Sequence, residues 1–326
     1  MSGHEELPNS EILLLYEARM CNPNGDPDAE NRPRIDPKTS INLVSDVRLK
    51  RYFRDYIVEK FGEEYIYVTK IGDESLTAES RLEKANIKEN TEKQIEDLKI
   101  RVLKNFIDAR LFGATIPIGK GDKEKGVSAS CIGPVQFTWG FSLHKVELVD
   151  SPTITSVFSG RAEAGGYGTM GKDWRIYYSL IGFYGVVSGR RAKGTLLKEI
   201  DLKVFDNLIW TALEVQPTTR SKIGETPHLY LRVEYNNADT VLGDMRKYIK
   251  VSTRDPVRSF QDLEVNLEAL QKHLESNLEK ISRVYIRTSD ELSLINNLLH
   301  EKRGQKLIQL PHKITDDEIR NILKRG

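Results

Sequence analysis

Cysteine is scarce. Cys21 and Cys131 are the only two in 326 residues, too few for a disulfide framework or a cysteine-rich zinc site. Both are expected as buried thiols in a reducing, cytoplasmic setting. Long apolar runs are missing as well. No stretch approaches the ~18 consecutive apolar residues of a membrane span, and the opening MSGHEELPNS has no basic region leading into an apolar one. Neither a membrane contact nor a secretion signal is expected. An excess of one charge is also lacking, because 49 Lys and Arg face 48 Asp and Glu, for a formal net charge of +1. Any surface for a polyanion must then be a local patch. HExxH, GxSxG and a Cys–His pair do not emerge, and no glycine-rich stretch follows a strand as GxGxxG or as a phosphate loop. No internal repeat or low-complexity linker is present. No catalytic residue, metal or cofactor is expected, and His144 and His228, in strand-like surroundings, read as satisfied structural residues.

What is present is the pattern of a globular chain, 39% hydrophobic and 30% charged. Glu11–Arg19 (EILLLYEAR) reads as a strand, and Cys21–Lys38, crowded with Asn, Gly, Asp and Pro, as an ordered loop of several turns. A helical pattern runs from near Leu43 to about Lys60, and a second spans Asn86–Asp108. Ile132–Val149 holds short strand-like runs. Trp174–Ser188 (WRIYYSLIGFYGVVS) is the strongest strand in the chain. A helix is expected over Leu196–Leu213 and an alternating strand over His228–Tyr235, with a mainly helical pattern from Asp262 onward. The core order is strand, helix, strand, strand, helix, strand. It predicts an α+β fold with a ferredoxin-like, RNA-recognition (βαββαβ) core and large insertions. The expected division is a core over 1–260 and a helical C-terminal extension over 261–326, packed on it. A doubly wound α/β fold is the main rival.

Candidate contacts for a polyanion follow from where the cations fall. In the first helix Leu49, Tyr52, Phe53, Tyr56 and Ile57 share an apolar stripe, while Lys50, Arg51 and Arg54 take the opposite side with Arg48 at its edge. Such a face suits sequence-independent phosphate contact or is an ordinary solvated face. In the loop before it, Arg34 and Lys38 are within reach of phosphate, and Asn22 and Asn24 either bond ribose or cap turns. Asp26 and Asp28 suggest Mg²⁺, but no third acidic ligand accompanies them. Arg19, ending the first strand, is either a salt-bridge partner or a nucleic-acid contact. Arg161 and Lys172 lie in the glycine-rich Ser159–Asp173, and Arg220 and Lys222 in the polar Gln216–Pro227. Either segment can let an RNA backbone approach closely or be a plain surface loop. Arg190, Arg191 and Lys193 form a compact basic turn.

The stretch Glu17–Asp55 resembles the N-terminal signature of the CRISPR-associated backbone subunit family of type I (Cascade-like) surveillance complexes, particularly the type I-B branch. NPNGDPD at Asn22–Asp28 and SDVRLKRYFRD at Ser45–Asp55 carry the resemblance. RLFGA at Arg110–Ala114, GPVQFTWG at Gly133–Gly140 and HLYLRVEY at His228–Tyr235 add to it. The likeness spreads over about the first 240 residues. It implies a modified RNA-recognition fold with a thumb-like protrusion, formed by Ser159–Asp173 or Gln216–Pro227, whose copies lie side by side along a CRISPR RNA, each gripping the backbone while the thumb displaces bases. The exposed guide then pairs with an invading DNA strand in antiviral defence. Implied partners are the CRISPR RNA, further copies of the chain, the target DNA strand, and the large, five-prime-end capping and RNA-processing subunits. Two other functions remain open: a CRISPR-related RNA-processing endonuclease, and a general single-stranded RNA-binding protein.

Overall fold

The apolar run SEILLLYEARMC forms the strand Ser10–Cys21 (β1), and the alternation of its side chains divides it between two cores. Ile12, Leu14, Tyr16 and Ala18 enter one, and Leu13 and Leu15 the other, so β1 is buried on both faces. The computed structural model describes residues 6–71, 74–75, 77–87, 95–118, 127–156, 169–292 and 307–324. After β1 come the helix Asp46–Phe61 (α1) and the short strands Val135–Phe137 (β2) and Gly140–Ser142 (β3). Strand Ile176–Val187 (β4), helix Glu199–Val215 (α2) and strand Glu225–Tyr235 (β5) follow, then strands Ile281–Thr288 (β6) and Leu307–Gln309 (β7). The main sheet runs β7-β6-β5-β1-β4-β3 and ends on Leu43–Val44, with β2 also on β4. Its pairings are antiparallel except β6 with β7. This is a mixed α+β fold with a central sheet and helical insertions.

One face of the sheet carries α1 and α2. Ser45 caps α1 by accepting from the Arg48 N–H, and Gly62, at φ +123°, ends it. The two helices pack on each other, with the Phe53 and Phe205 ring centroids 5.2 Å apart. The other face is covered by the segment 243–275, whose Met245, Val257, Phe260, Leu270 and Leu274 lie over Leu13, Leu15, Leu229, Leu231 and Val233. Glu11 fixes the start of that cover. Its buried carboxylate accepts from the Leu242 and Gly243 N–H groups at 2.8 Å each, and from the hydroxyls of Tyr184 and Tyr235. A third, smaller core around Tyr67, Leu98, Val102 and Phe106 belongs to the insertion after α1.

Three expectations are corrected. The helix near Leu43 starts at Asp46, because Leu43–Val44 pairs with Gly140–Phe141 at the sheet edge. The Asn86–Asp108 pattern resolves into the helices Ile95–Asn105 and Ile107–Phe112 within its described part. The chain after Asp262 is not mainly helical. Its helical periodicity is realised over Glu268–Glu275 and Asp316–Leu323, whereas Leu263–Asn266 is a strand and the β-branched run ISRVYIRT becomes β6, paired along β5. Among the described residues no helix is long and apolar enough to cross a membrane.

Candidate nucleic-acid interface

The C-terminal end of β1 lies beside the start of β4 and the start of β5: Cys21 pairs with Ile176 and Ala18 with Glu225. Backbone bonds extend this meeting into the loops. Arg19 N donates to Gly224 O at 2.8 Å and Asn22 N to Ser221 O at 2.7 Å. Arg175, just before β4, braces the junction, with Nη2 bonding Arg220 O at 3.0 Å and Asp173 Oδ2 at 2.9 Å. The result is an open cleft of about 670 Å³ whose lining includes Glu17, Arg19, Met20, Arg175, Arg220 and Ile223. Arg220 is largely exposed, 3.7 Å from Asp173. Met20 and Ile223 are 44% and 60% exposed, so apolar surface stands among the guanidinium groups. Arginines set beside exposed apolar side chains can hold phosphates while offering bases a surface to stack on.

An aromatic wall adjoins the cleft. Trp174 precedes Arg175, and the Arg32 guanidinium lies 5.1 Å over its ring with the Lys172 amine at 5.9 Å. Further along, Arg34 sits 5.7 Å over Trp139, which is 46% exposed. Arg32, Trp139, Trp174 and Arg175 were not among the sequence candidates. Trp174 and Arg175 had been absorbed into the strand expected over Trp174–Ser188. The available signal was the cluster of Lys172, Trp174 and Arg175 around Asp173.

The sequence candidates scatter. Arg19, Lys172 and Arg220 reach the cleft or its wall, Lys172 also pairing with Glu30 at 2.5 Å. Arg34 pairs with Asp26 at 3.0 Å, and Lys38 is exposed. Asn22 and Asn24 are tied into the loop. Asn22 Nδ2 donates to Asn31 O at 2.7 Å, and Asn24 Oδ1 accepts from Ser45 N at 2.8 Å. Arg161 lies outside the described residues.

The basic face expected on α1 is not an outward face. The insertion after α1 covers it, leaving Lys50 and Arg54 each 8% exposed. Lys50 donates to Asp46 and Gln136, Arg51 pairs with Asp55 at 2.7 Å, and Arg54 with Asp108 at 2.8 Å. Arg48 turns inward, its guanidinium 4.0 Å over the Tyr52 ring. Arg190, Arg191 and Lys193 follow β4, whose last residue Val187 pairs with Ser10. They sit at the opposite end of β1 from the cleft, roughly 35 Å away by strand rise. Arg190 pairs there with Asp239 and Lys193 with Glu6.

Under the cleft floor lies a buried polar group. Glu225 sits between Gly224 and Thr226, which line the cleft, and its side chain is directed inward, accepting from the Tyr52 hydroxyl. Burial pushes its carboxyl up to about 7 against the opposing pull of Lys222, the Tyr52 hydrogen bond and Arg48. Lys222 donates to the Asn22 and Pro23 carbonyls, and burial with Arg48 nearby brings its amine down to about 8. Lys222 therefore fastens two loops together, with its charge turned into the protein. Tyr16 Oη, Asn22 Oδ1, Arg48 Nε and Glu225 Oε1 are buried without a hydrogen-bond partner.

His144 and His228 are both buried within the fold. His144 Nε2 accepts from Leu180 N at 3.1 Å while Nδ1 bonds Lys145 O, and burial lowers its pKa. His228 stacks on Phe260 with centroids 4.3 Å apart and bonds Ser289 through Nδ1, while its Nε2 makes no hydrogen bond and lies 3.3 Å from Glu17, which lines the cleft. Asp26 accepts from Asp28 N and from Arg34, which makes the two carboxylates parts of a turn. Among the described residues no group of three or more His, Cys, Asp or Glu is placed to hold a metal ion.

Residues 8–268 match the family model of the CRISPR-associated protein Cas7. The chain belongs to the Cas7 family. A Haloferax volcanii protein named CRISPR-associated protein Cas7 is 34% identical over 306 residues, covering 88% of this chain and 89% of its own length. A chain of a CRISPR RNA-guided surveillance complex, in a pre-nicking state, superposes with a TM-score of 0.54 at 12% identity, covering 97% of this chain and 99% of its own. At that identity the likeness is one of fold. This Cas7 chain thus places its cleft on a fold shared with a subunit of such a complex, at the sheet end where the NPNGDPD loop meets β4 and β5.

Proposed function

We propose that this Cas7-family protein is the guide-RNA-binding backbone subunit of a type I surveillance complex, assembling in several copies along one CRISPR RNA and presenting it for pairing with invading DNA. The observation that carries the reading is the open cleft of Arg19, Arg175 and Arg220, with Met20 and Ile223 exposed among them and the Trp174–Arg32 wall alongside. Its donors are guanidinium groups and its stacking surfaces are generic, which suits a subunit that must accept any guide sequence. The order β5-β1-β4-β3 with α1 and α2 on one face supports reading the core as ferredoxin-like. The type I-B assignment rests on the NPNGDPD and SDVRLKRYFRD motifs. Partners in this reading are the CRISPR RNA, neighbouring copies, the target DNA strand and the other subunits of the complex, and the protein holds RNA without cutting it.

The deciding experiment coexpresses the chain with its companion genes and a CRISPR array, weighs the purified complex and sequences the bound RNA. Several copies on one uniform, uncleaved guide support the reading, and Arg175→Glu with Arg220→Glu should then abolish loading. A monomer without RNA, or one that cuts the transcript, overturns it.

A further inference from the structure

We propose that the buried Glu225 and the half-buried Lys222, beneath the cleft, take up a proton when RNA occupies it, so that RNA binding is linked to pH near neutrality. The inference rests on the RNA reading above and adds its regulation. Three features of the geometry carry it. First, the pair lies immediately behind the binding surface: Gly224 and Thr226 line the cleft, and Glu225 between them is directed inward. Second, the pair is integral to the cleft's shape. Lys222 bonds the carbonyls of Asn22 and Pro23, and the same two loops are joined by Asn22 N to Ser221 O and Arg19 N to Gly224 O. Third, the chamber is incompletely satisfied, with Glu225 Oε1, Arg48 Nε, Asn22 Oδ1 and Tyr16 Oη lacking partners. A buried carboxylate with one oxygen unbonded gains from protonation.

The groups facing Glu225 come from each element around it. Tyr16 and Cys21 belong to β1, Arg48 and Tyr52 to α1, and Lys222 to the loop before β5, with Arg175 reaching Cys21 from the start of β4. Burial holds the Tyr16, Cys21 and Tyr52 protons well above the neutral range. Glu225, at about 7, and Lys222, at about 8, therefore titrate in the window of interest. Phosphates laid against the cleft favour the protonated form of both groups. By linkage, protonation must then favour phosphate binding.

The test measures binding of a fluorescein-labelled, mixed-sequence single-stranded RNA to the full chain between pH 6 and pH 8.5. Affinity should rise as pH falls through the window, by at most about tenfold per unit for one proton. Glu225→Gln should flatten that slope. Titration calorimetry at pH 7.5 in buffers of different ionisation enthalpy should show proton uptake by the wild-type protein. This reading does not depend on the variant folding. An unchanged slope in Glu225→Gln, or no proton uptake by the wild type, overturns the inference while leaving the RNA reading standing. Absence of RNA binding at every pH overturns the RNA reading and this inference together.

Discussion

Arg54 Nε donates to Asp108 Oδ2 at 2.8 Å, and the same carboxylate group accepts from the Tyr67 and Val68 N–H groups at 2.7 and 3.1 Å. One carboxylate thereby joins α1, the turn at Tyr67 and the helix Ile107–Phe112. Arg54→Ala leaves Asp108 charged and buried, a change that costs about 3–5 kcal/mol for a pair of this kind. Denaturant unfolding should show a loss of that order, and the folded protein should keep the RNA salt dependence of wild type.

Arg220 behaves in the opposite way. It is exposed and its nearest carboxylate is 3.7 Å away. Arg220→Ala should leave the thermal midpoint nearly unchanged and weaken RNA binding, with the slope of log affinity against log salt falling by about 0.7 if one phosphate contact is lost. Arg191→Ala, at the far end of β1, should change neither.

Trp139 and Trp174 each stand beside an arginine, Trp174 next to the cleft and Trp139 further along β4. Trp174→Ala or Trp139→Ala should cost about 1–3 kcal/mol of RNA affinity for each base stacked. Tryptophan fluorescence should be quenched on RNA addition in wild type, and less so in each variant.

The pH dependence of stability has a definite sign at Glu225. Its carboxyl rises from 4.5 to about 7 on folding, so the stability it contributes is complete below about 4.5 and lost as pH rises through 7. Lys222 falls from 10.5 to about 8, so its contribution is complete above 10.5 and lost as pH falls through 8. The charged pair is therefore most costly between about 7 and 8, where both groups are ionised. The midpoint difference, Glu225→Gln minus wild type, should become more positive from pH 5 to pH 8 in thermal melts. A difference that stays flat would refute this assignment.

Gly224 has φ +115°, and a Cβ there would lie 2.1 Å from Arg19 O. Gly224→Ala should force the β1 and β5 ends apart, lowering both the thermal midpoint and RNA affinity, whereas Gly194→Ala, with open space around it, should leave both in place.

Much of this architecture was legible because periodicity reports burial. β1, α1, β4, α2 and β5 follow from their apolar patterns, with boundaries displaced by a few residues. The region after Asp262 was misread because leucines at Leu263, Leu267, Leu270 and Leu274 mimic one long helix. The pairing that makes β6 lies in β5, some fifty residues earlier, and leaves no local trace. The site was legible only in part. A lysine on a helix reads as solvated until an insertion folds over it, as happens to Lys50. Lys222 reads as surface cation until its acceptors, the Asn22 and Pro23 carbonyls 200 and 199 residues away, come to meet it. Arg19 and Arg220 read correctly as exposed cations, because strand ends and polar loops expose such groups without help from distant partners.

The sealing of both sheet faces, by helices on one side and by the 243–275 segment on the other, separates two kinds of inheritance. Residues that keep the protein folded are interior, and those available to a polymer sit on turns beyond the strand ends. Substitution at Arg220 or Ile223 can retune grip while the midpoint of unfolding stays where it is. The chemistry of these turns can thus change without rebuilding the domain that displays them.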